Sequence, residues 1–177
     1  GYTVASGHEY IADIVPDSFR HARQFWPAFK HERASLSLRL GQRFFQEAAL
    51  PRRWALDEAS PFEYRRVLDP VPSISQSNRA LESLTKAFPI FSNVRIAQRW
   101  GGMIDVTPDA VPVISAVDAV PGFFIATGFS GHGFGIGPAA GRLMANLVTG
   151  ETPIVDIKAF SLSRFSDGSI PKPISGF

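Results

Sequence analysis

Gly122–Gly150 reads GFFIATGFSGHGFGIGPAAGRLMANLVTG, an apolar run, a glycine-rich centre and a helical pattern in succession. Phe123 to Thr127 has the composition of a buried strand. From Pro138 on, Ala139, Ala140, Leu143, Met144, Leu147 and Val148 recur at helical spacing; Pro138 suits a helix start, and Gly150 suits the residue that ends it. Six of the first sixteen residues are glycine, and His132 is the lone titratable side chain among them. A plain strand-to-helix turn needs one or two glycines, whereas Gly128, Gly131, Gly133, Gly135 and Gly137 are five. With side chains out of the way, backbone N–H groups and the positive end of the helix dipole can approach a flat, polar or anionic ligand. The stretch is read as strand, ligand loop and helix.

Outward from this stretch the chain alternates short strands and helices. Tyr2 to Ala5 reads as a strand, Asp17 to Trp26 as a helix broken or kinked at Pro27, and Ser35 to Leu40 (SLSLRL) as a half-buried antiparallel strand, with Glu63 to Leu68 as a second strand of the same sheet. Ser75, Ser77 and Asn78 offer caps for a helix carrying Ala80, Leu81, Leu84, Ala87 and Phe88 and stopped by Pro89. Strands are expected up to Trp100 and up to Val106 around the Gly101-Gly102 break, then a turn at Pro108-Asp109 and one further short strand.

Composition narrows the chemistry. In 177 residues, 45% hydrophobic content supports a sizeable core, and a formal charge of +2 is too small to argue for nucleic-acid binding. The absence of cysteine excludes disulfides and thiolate metal sites, and four scattered histidines without metal-ligand spacing give no metal site. No apolar run approaches a membrane span, so a cytoplasmic setting is expected. The chain opens Gly1-Tyr2-Thr3-Val4 within a strand pattern, which reads as a fragment of a longer protein.

Two other classes compete for the glycine stretch and for the chain. Gly135, Gly137 and Ala140 fit GxGxxA with Asp156 downstream, as in an NAD-type dinucleotide-binding domain, but the first glycine stands away from the strand end and Pro138 falls inside the turn. Arg20, Arg23, Lys30, Arg33, Arg39, Arg43, Arg52 and Arg53 outnumber Glu32 and Glu47 in one region, the pattern of a non-catalytic basic interaction module or of a solvated surface.

The sequence also carries an ordered motif set: Trp100, Gly102, Thr107-Pro108-Asp109, Gly128 to Gly133, Pro138, Gly141, Asp156, Phe160 and Arg164-Phe165. With these, its last 80 or so residues resemble the C-terminal part of FAD-dependent amine and amino-acid oxidoreductases of the D-amino-acid oxidase superfamily, which includes glycine oxidase, sarcosine oxidase and D-amino-acid dehydrogenase. The resemblance implies an α+β fold. Residues 1–100 are expected to form part of a substrate-binding domain, an antiparallel or mixed sheet with flanking helices. Residues 101–177 are expected to return to an FAD-binding Rossmann-like domain, whose strand-loop-helix they complete and whose N-terminal GxGxxG region is absent here. It further implies oxidation of the C–N bond of a small amino acid or secondary amine by hydride transfer to flavin N5, to oxygen or a quinone as final acceptor.

Several residues take roles under this resemblance. Gly102, Gly128, Phe129, Ser130, Gly131, His132, Gly133, Phe134 and Gly135 become the cofactor-binding set, with loop N–H groups and the helix dipole facing the flavin. His132 is the catalytic candidate, bonding the flavin or adding positive potential near a substrate carboxylate, with a structural histidine as the alternative. Trp100 and Phe134 wall the cofactor or belong to a core, and Tyr2, His8 and Trp100 are the substrate-pocket candidates. Arg164 is read as closing the tail through an ion pair. Monomeric sarcosine oxidases carry Lys where Gly135 stands, which leaves the substrate open, and the same enzymes tether flavin through a Cys near Gly102, so FAD is expected to be non-covalent. The implied partners are a small substrate, the N-terminal half of the same protein and a possible second copy, with no nucleic acid and no metal.

Overall fold

The computed structural model describes residues 1–5 and 10–168, so His8 lies outside the described residues. The architecture is mixed α/β with two small, two-stranded sheets. The chain divides into two compact units, one of Gly1–Pro16 with Ser35–Met103, the other of Asp17–Ala34 with the chain from Ile104 on. In this division Asp17–Ala34 goes with the C-terminal part of the chain. A hydrogen bond from Gln24 Nε2 to the Phe165 carbonyl, 3.1 Å, is part of what ties it there.

In the first unit, strand β1 (Tyr10–Asp13) pairs with β2 (Leu36–Arg39) in register Tyr10↔Leu36 to Asp13↔Arg39. The pairing is parallel, a correction to the antiparallel strand expected from SLSLRL. The cause is the connection: helices α1 (Pro16–Arg20) and α2 (Ala22–Glu32) fill the chain between the strands, and a long crossover brings it back in the same direction. Register sets Arg39 against Asp13, with Nε 2.5 Å and Nη2 3.0 Å from the two carboxylate oxygens. Arg43, on α3 (Gln42–Ala48), approaches the same carboxylate at 3.7 Å. The Arg39 hydrogen bond, against a smaller opposing effect of burial, holds the Asp13 carboxyl below its ordinary range.

Other expectations in this region change for local reasons. Tyr2 to Ala5 is not a strand, and Tyr2 rests edge-on against Phe91 with ring centroids 5.6 Å apart. Glu63 to Leu68 is not a strand either. Ser60 and Glu63 form a reciprocal capping box that starts the short helix α4 (Pro61–Tyr64), after which the chain is irregular. Helix α5 (Ile74–Ala87) begins just before the expected caps because Ser73 accepts from Gln76 N at 3.3 Å, and it ends ahead of Pro89 as expected. Residues 94–106 are irregular rather than two strands; no described strand runs alongside to complete a ladder. Pro27 lies inside α2, and the interruption falls at His21 instead.

The second unit carries the antiparallel hairpin of β3 (Val113–Ala116) and β4 (Phe124–Thr127), paired Val113↔Thr127 to Ala116↔Phe124. Helix α6 (Gly133–Thr149) returns over it, burying Ile114, Ala140 and Leu143 together with Phe129, Met144, Leu147 and Phe160. Gly150 ends α6 in the left-handed region at φ 73°, and its N–H donates to the Asn146 carbonyl. The helix start corrects the expected one: it precedes Pro138 by five residues and takes Gly133, Gly135 and Gly137 into its first turns. Among the described residues no helix is long and apolar enough to cross a membrane.

Candidate functional site

The glycine stretch is shaped from behind by the segment 105–109. Asp105 Oδ2 accepts from Thr127 Oγ1 at 2.5 Å and from Gly128 N at 2.7 Å, while its backbone carbonyl accepts from Ser130 N at 2.9 Å. Ser130 Oγ in turn accepts from Thr107 N at 3.2 Å and donates to the Gly128 carbonyl at 3.2 Å. These bonds hold two left-handed backbone positions, Gly128 at φ 70° and Ser130 at φ 48°. A Cβ on Gly128 would lie 2.3 Å from Thr107 Cγ2, so close approach as well as φ requires glycine there. Ser130 is wholly enclosed.

Behind this layer sits a buried ion pair. Arg164 donates through Nε and Nη2 to the two oxygens of Asp109 at 2.8 and 3.1 Å, and through Nη2 to the Val111 carbonyl at 2.6 Å. Both side chains are about nine-tenths buried. Burial pushes the Asp109 carboxyl up, but the Arg164 bonds, the Val111 N–H and the Arg164 charge outweigh it and hold the group below its ordinary value. Thr107 Oγ1 completes the turn by donating to the Val111 carbonyl at 2.8 Å. Arg164 therefore closes the tail through an ion pair, with Asp109 of the Thr-Pro-Asp motif as its partner.

The outer half of the stretch faces the other way. Gly131, Gly135 and Gly137 have no atom within 4 Å of where a Cβ would stand, and Phe134 is fully exposed. Gly135 N and Ile136 N turn back to the His132 carbonyl at 3.1 and 3.3 Å. The N–H groups of Gly133 and Phe134, the first of α6, meet no acceptor among the described residues, as expected at a helix start. His132 is exposed at the helix N-cap, and its ring makes no hydrogen bond among the described residues. The result is a bare backbone face with two available donors, a helix dipole and one imidazole beside it.

The structure therefore separates the predicted site residues. Gly131, His132, Phe134 and Gly135 lie on the open side, whereas a Cβ on Gly133 would stand 3.2 Å from Phe129 Cβ, so Gly133 offers only its backbone N–H there. Phe129 and Ser130 point their side chains inward, Phe129 against the core and Ser130 into the bonds above, and the backbone of Gly128 is committed to Asp105. Gly102, Trp100 and Tyr2 belong to the first unit. Trp100 is 59% and Tyr2 86% exposed, and Gly102 has open space at its Cβ position. Asp105 was missed by motif reading: its sequence neighbours Thr107-Pro108-Asp109 drew attention, but nothing local marks a bond across 22 residues to Thr127.

Neither competing class gains from the structure. Gly135, Gly137 and Ala140 lie within α6 and not at the end of β4, so the GxGxxA pattern lacks the turn it needs. Three of the clustered basic residues are neutralised by neighbours: Arg20 by Asp17, Arg39 by Asp13 and Arg43 by Glu47.

Comparison with known proteins converges on one family. The model of the DAO family, described as FAD dependent oxidoreductase, matches residues 37–147. Sarcosine oxidase subunit beta of Rhodobacter capsulatus is 34% identical over 96 residues, 54% of this chain and 22% of the relative. N-methyl-L-tryptophan oxidase of Salmonella newport is 35% identical over 88 residues, 46% of this chain and 23% of the relative. Among solved structures, L-amino acid deaminase from Proteus myxofaciens in complex with anthranilate superposes with a TM-score of 0.83 at 33% identity, covering 89% of this chain and 35% of that one. L-amino acid deaminase from Proteus vulgaris gives 0.80 at 32% identity, covering 88% and 36%. The chain thus spans about a fifth of these curated relatives and about a third of the solved ones.

Proposed function

Because this chain belongs to the DAO family of FAD-dependent oxidoreductases, we propose that the protein carrying it uses FAD to oxidise the C–N bond of a small amino acid or secondary amine. The observation that carries the reading is the pair of unbonded N–H groups at Gly133 and Phe134 where α6 begins, beside the open Cβ positions of Gly131 and Gly135. The residues fit the cofactor: its electron-rich ring edge needs donors, and the open Cβ positions of Gly131 and Gly135 leave room for a flat group beside them. When bound, FAD supplies a two-electron oxidation, taking a hydride at N5 from the carbon beside the substrate nitrogen and leaving an imine that water hydrolyses.

The chain's own residues do the rest. Gly133 N and Phe134 N donate to the edge of the ring on which negative charge develops, and the dipole of α6 adds to the same potential. His132 lies beside them as a further donor or as positive potential for a substrate carboxylate. Phe134 would wall the ring. Without cysteine, this chain offers the flavin no thioether tether.

The relatives' names support the substrate class, since sarcosine, N-methyl-L-tryptophan and L-amino acids all place an amine beside a carboxylate. Because the chain spans a minor share of these proteins, the remaining FAD contacts, including a site for the pyrophosphate, are assigned to the remainder of the protein. A relative named as a subunit also supports assembly with a second polypeptide, with a homo-oligomer as the other outcome of sedimentation analysis.

The test is direct. The full-length protein is purified, its visible spectrum recorded, and turnover measured against glycine, N-methyl amino acids, and D- and L-amino acids. A flavin spectrum with bleaching by one of these classes is expected. Colourless protein that takes up no FAD overturns the proposal.

A further inference from the structure

Asp105 stands outside the family motif, yet it makes three hydrogen bonds where the glycine loop leaves the sheet. One carboxylate oxygen takes the Thr127 hydroxyl and the Gly128 N–H, and the backbone carbonyl takes the Ser130 N–H. Those contacts fall on the last residue of β4, on the first left-handed glycine and on the left-handed Ser130. The chain turns between these points from the strand into the start of α6, so they fix the direction in which Gly133 N and Phe134 N emerge. Left-handed positions persist only where their surroundings over-determine them, and at Ser130 glycine's freedom is lacking.

We propose that Asp105 is a positioning residue for the cofactor, holding the loop in the one shape that presents its bare face and its two free donors. The inference rests on the FAD reading above. Asp105 acts through the loop backbone and not on the reacting atoms. Loss of its side chain leaves the Gly128 N–H and the Thr127 hydroxyl without acceptors at the point where the loop leaves the sheet. The loop then samples other shapes, and FAD must select the competent one, which lowers apparent affinity by the fraction remaining. Asparagine keeps an oxygen at the same place and preserves the bonds without the charge.

The experiment measures FAD affinity of the full-length apoprotein by quenching of flavin fluorescence, with thermal midpoints recorded in parallel. Asp105→Ala is expected to raise the FAD Kd about tenfold, the scale of one or two lost hydrogen bonds. Asp105→Asn is expected to recover most of that loss. Thr127→Val removes one bond only, with an expected rise of about threefold, and serves as the readout where Asp105→Ala does not fold. Thr149→Val, which removes a side-chain bond to the Ala145 carbonyl at the far end of α6, is the control: it lowers the thermal midpoint and leaves FAD affinity unchanged. Wild-type protein that binds no FAD overturns the functional reading and this inference together. Wild-type binding with undiminished affinity in Asp105→Ala, or in Thr127→Val where only that variant folds, overturns the inference alone. So does Asp105→Asn binding as weakly as Asp105→Ala.

Discussion

The two halves of the glycine stretch use the same residue type for opposite ends. In Gly128–Ser130 the chain is enclosed and every turn is tied to segment 105–109, and Gly128 is glycine because a side chain would collide with Thr107. From Gly131 to Gly137 the Cβ positions of Gly131, Gly135 and Gly137 meet nothing, while that of Gly133 meets Phe129 at 3.2 Å. Gly128 and Gly133 are glycine where a side chain stands against them, whereas Gly135 and Gly137 face open space, and Gly131 joins open space to a left-handed φ of 82°. A glycine count alone therefore overstates a ligand loop, and the neighbours of each glycine divide scaffold from face.

The comparison breaks most sharply at Gly128. Gly128→Val places a branched side chain at φ 70° into Thr107 and is expected to cost on the order of 4 kcal/mol of stability, read from urea unfolding. Normal stability in that variant removes the scaffold role of the first half. Arg164→Met tests the same scaffold from behind. Leaving Asp109 buried without its cation is expected to cost about 3 kcal/mol. The variant also changes the response to acid. Because the folded carboxyl sits below its ordinary value of 3.8, its contribution is present above that pH and is lost as pH falls through the folded value. Thermal midpoints of the wild type should therefore fall below pH 3.8 with an added slope that Arg164→Met lacks.

The second half is probed by changes that spare the fold. Gly135→Ala meets no atom and lies in the helix, so stability should hold or rise by up to about 1 kcal/mol, while FAD affinity falls because a methyl group enters the open face. Unchanged affinity would place the ring elsewhere. The smallest effect is expected for His132→Ala: unchanged unfolding, and a shift of a few fold in flavin reduction or substrate KM. If kinetics and reduction potential stay at wild-type values, His132 is an exposed cap residue without a chemical role.

Much of this was legible where a signal is local. The cap at Gly150, the stop before Pro89, the Pro108-Asp109 turn and the strand 124–127 follow from single residues or from composition over a few positions. The start of α6 was not, because glycine at 133, 135 and 137 argues for loop, whereas carbonyl acceptance by His132 winds the first turn regardless. The strands expected at 63–68 and 94–106 did not form: Glu63 and Tyr64 belong to the capping-box helix α4, and 94–106 has no neighbouring strand, which periodicity cannot supply. The family pattern marked Thr107, Asp109, Arg164 and Phe165 as belonging together. That Asp109 and Arg164 touch is a property of the fold, 55 residues apart in the chain.

That contact has a topological side. Clasped at residues 109 and 164, the polypeptide between them forms a closed circuit containing the hairpin, the glycine stretch and α6. Lengthening such a circuit carries only a logarithmic entropic cost, about 0.6 kcal/mol per doubling. Just past Gly150, Glu151 is anchored by Asn146 Nδ2 at 2.9 Å and Thr152 is exposed. A short peptide tag inserted between Glu151 and Thr152 is thus accommodated without disturbing what lies upstream. What decides acceptance is whether the far end still reaches Asp109.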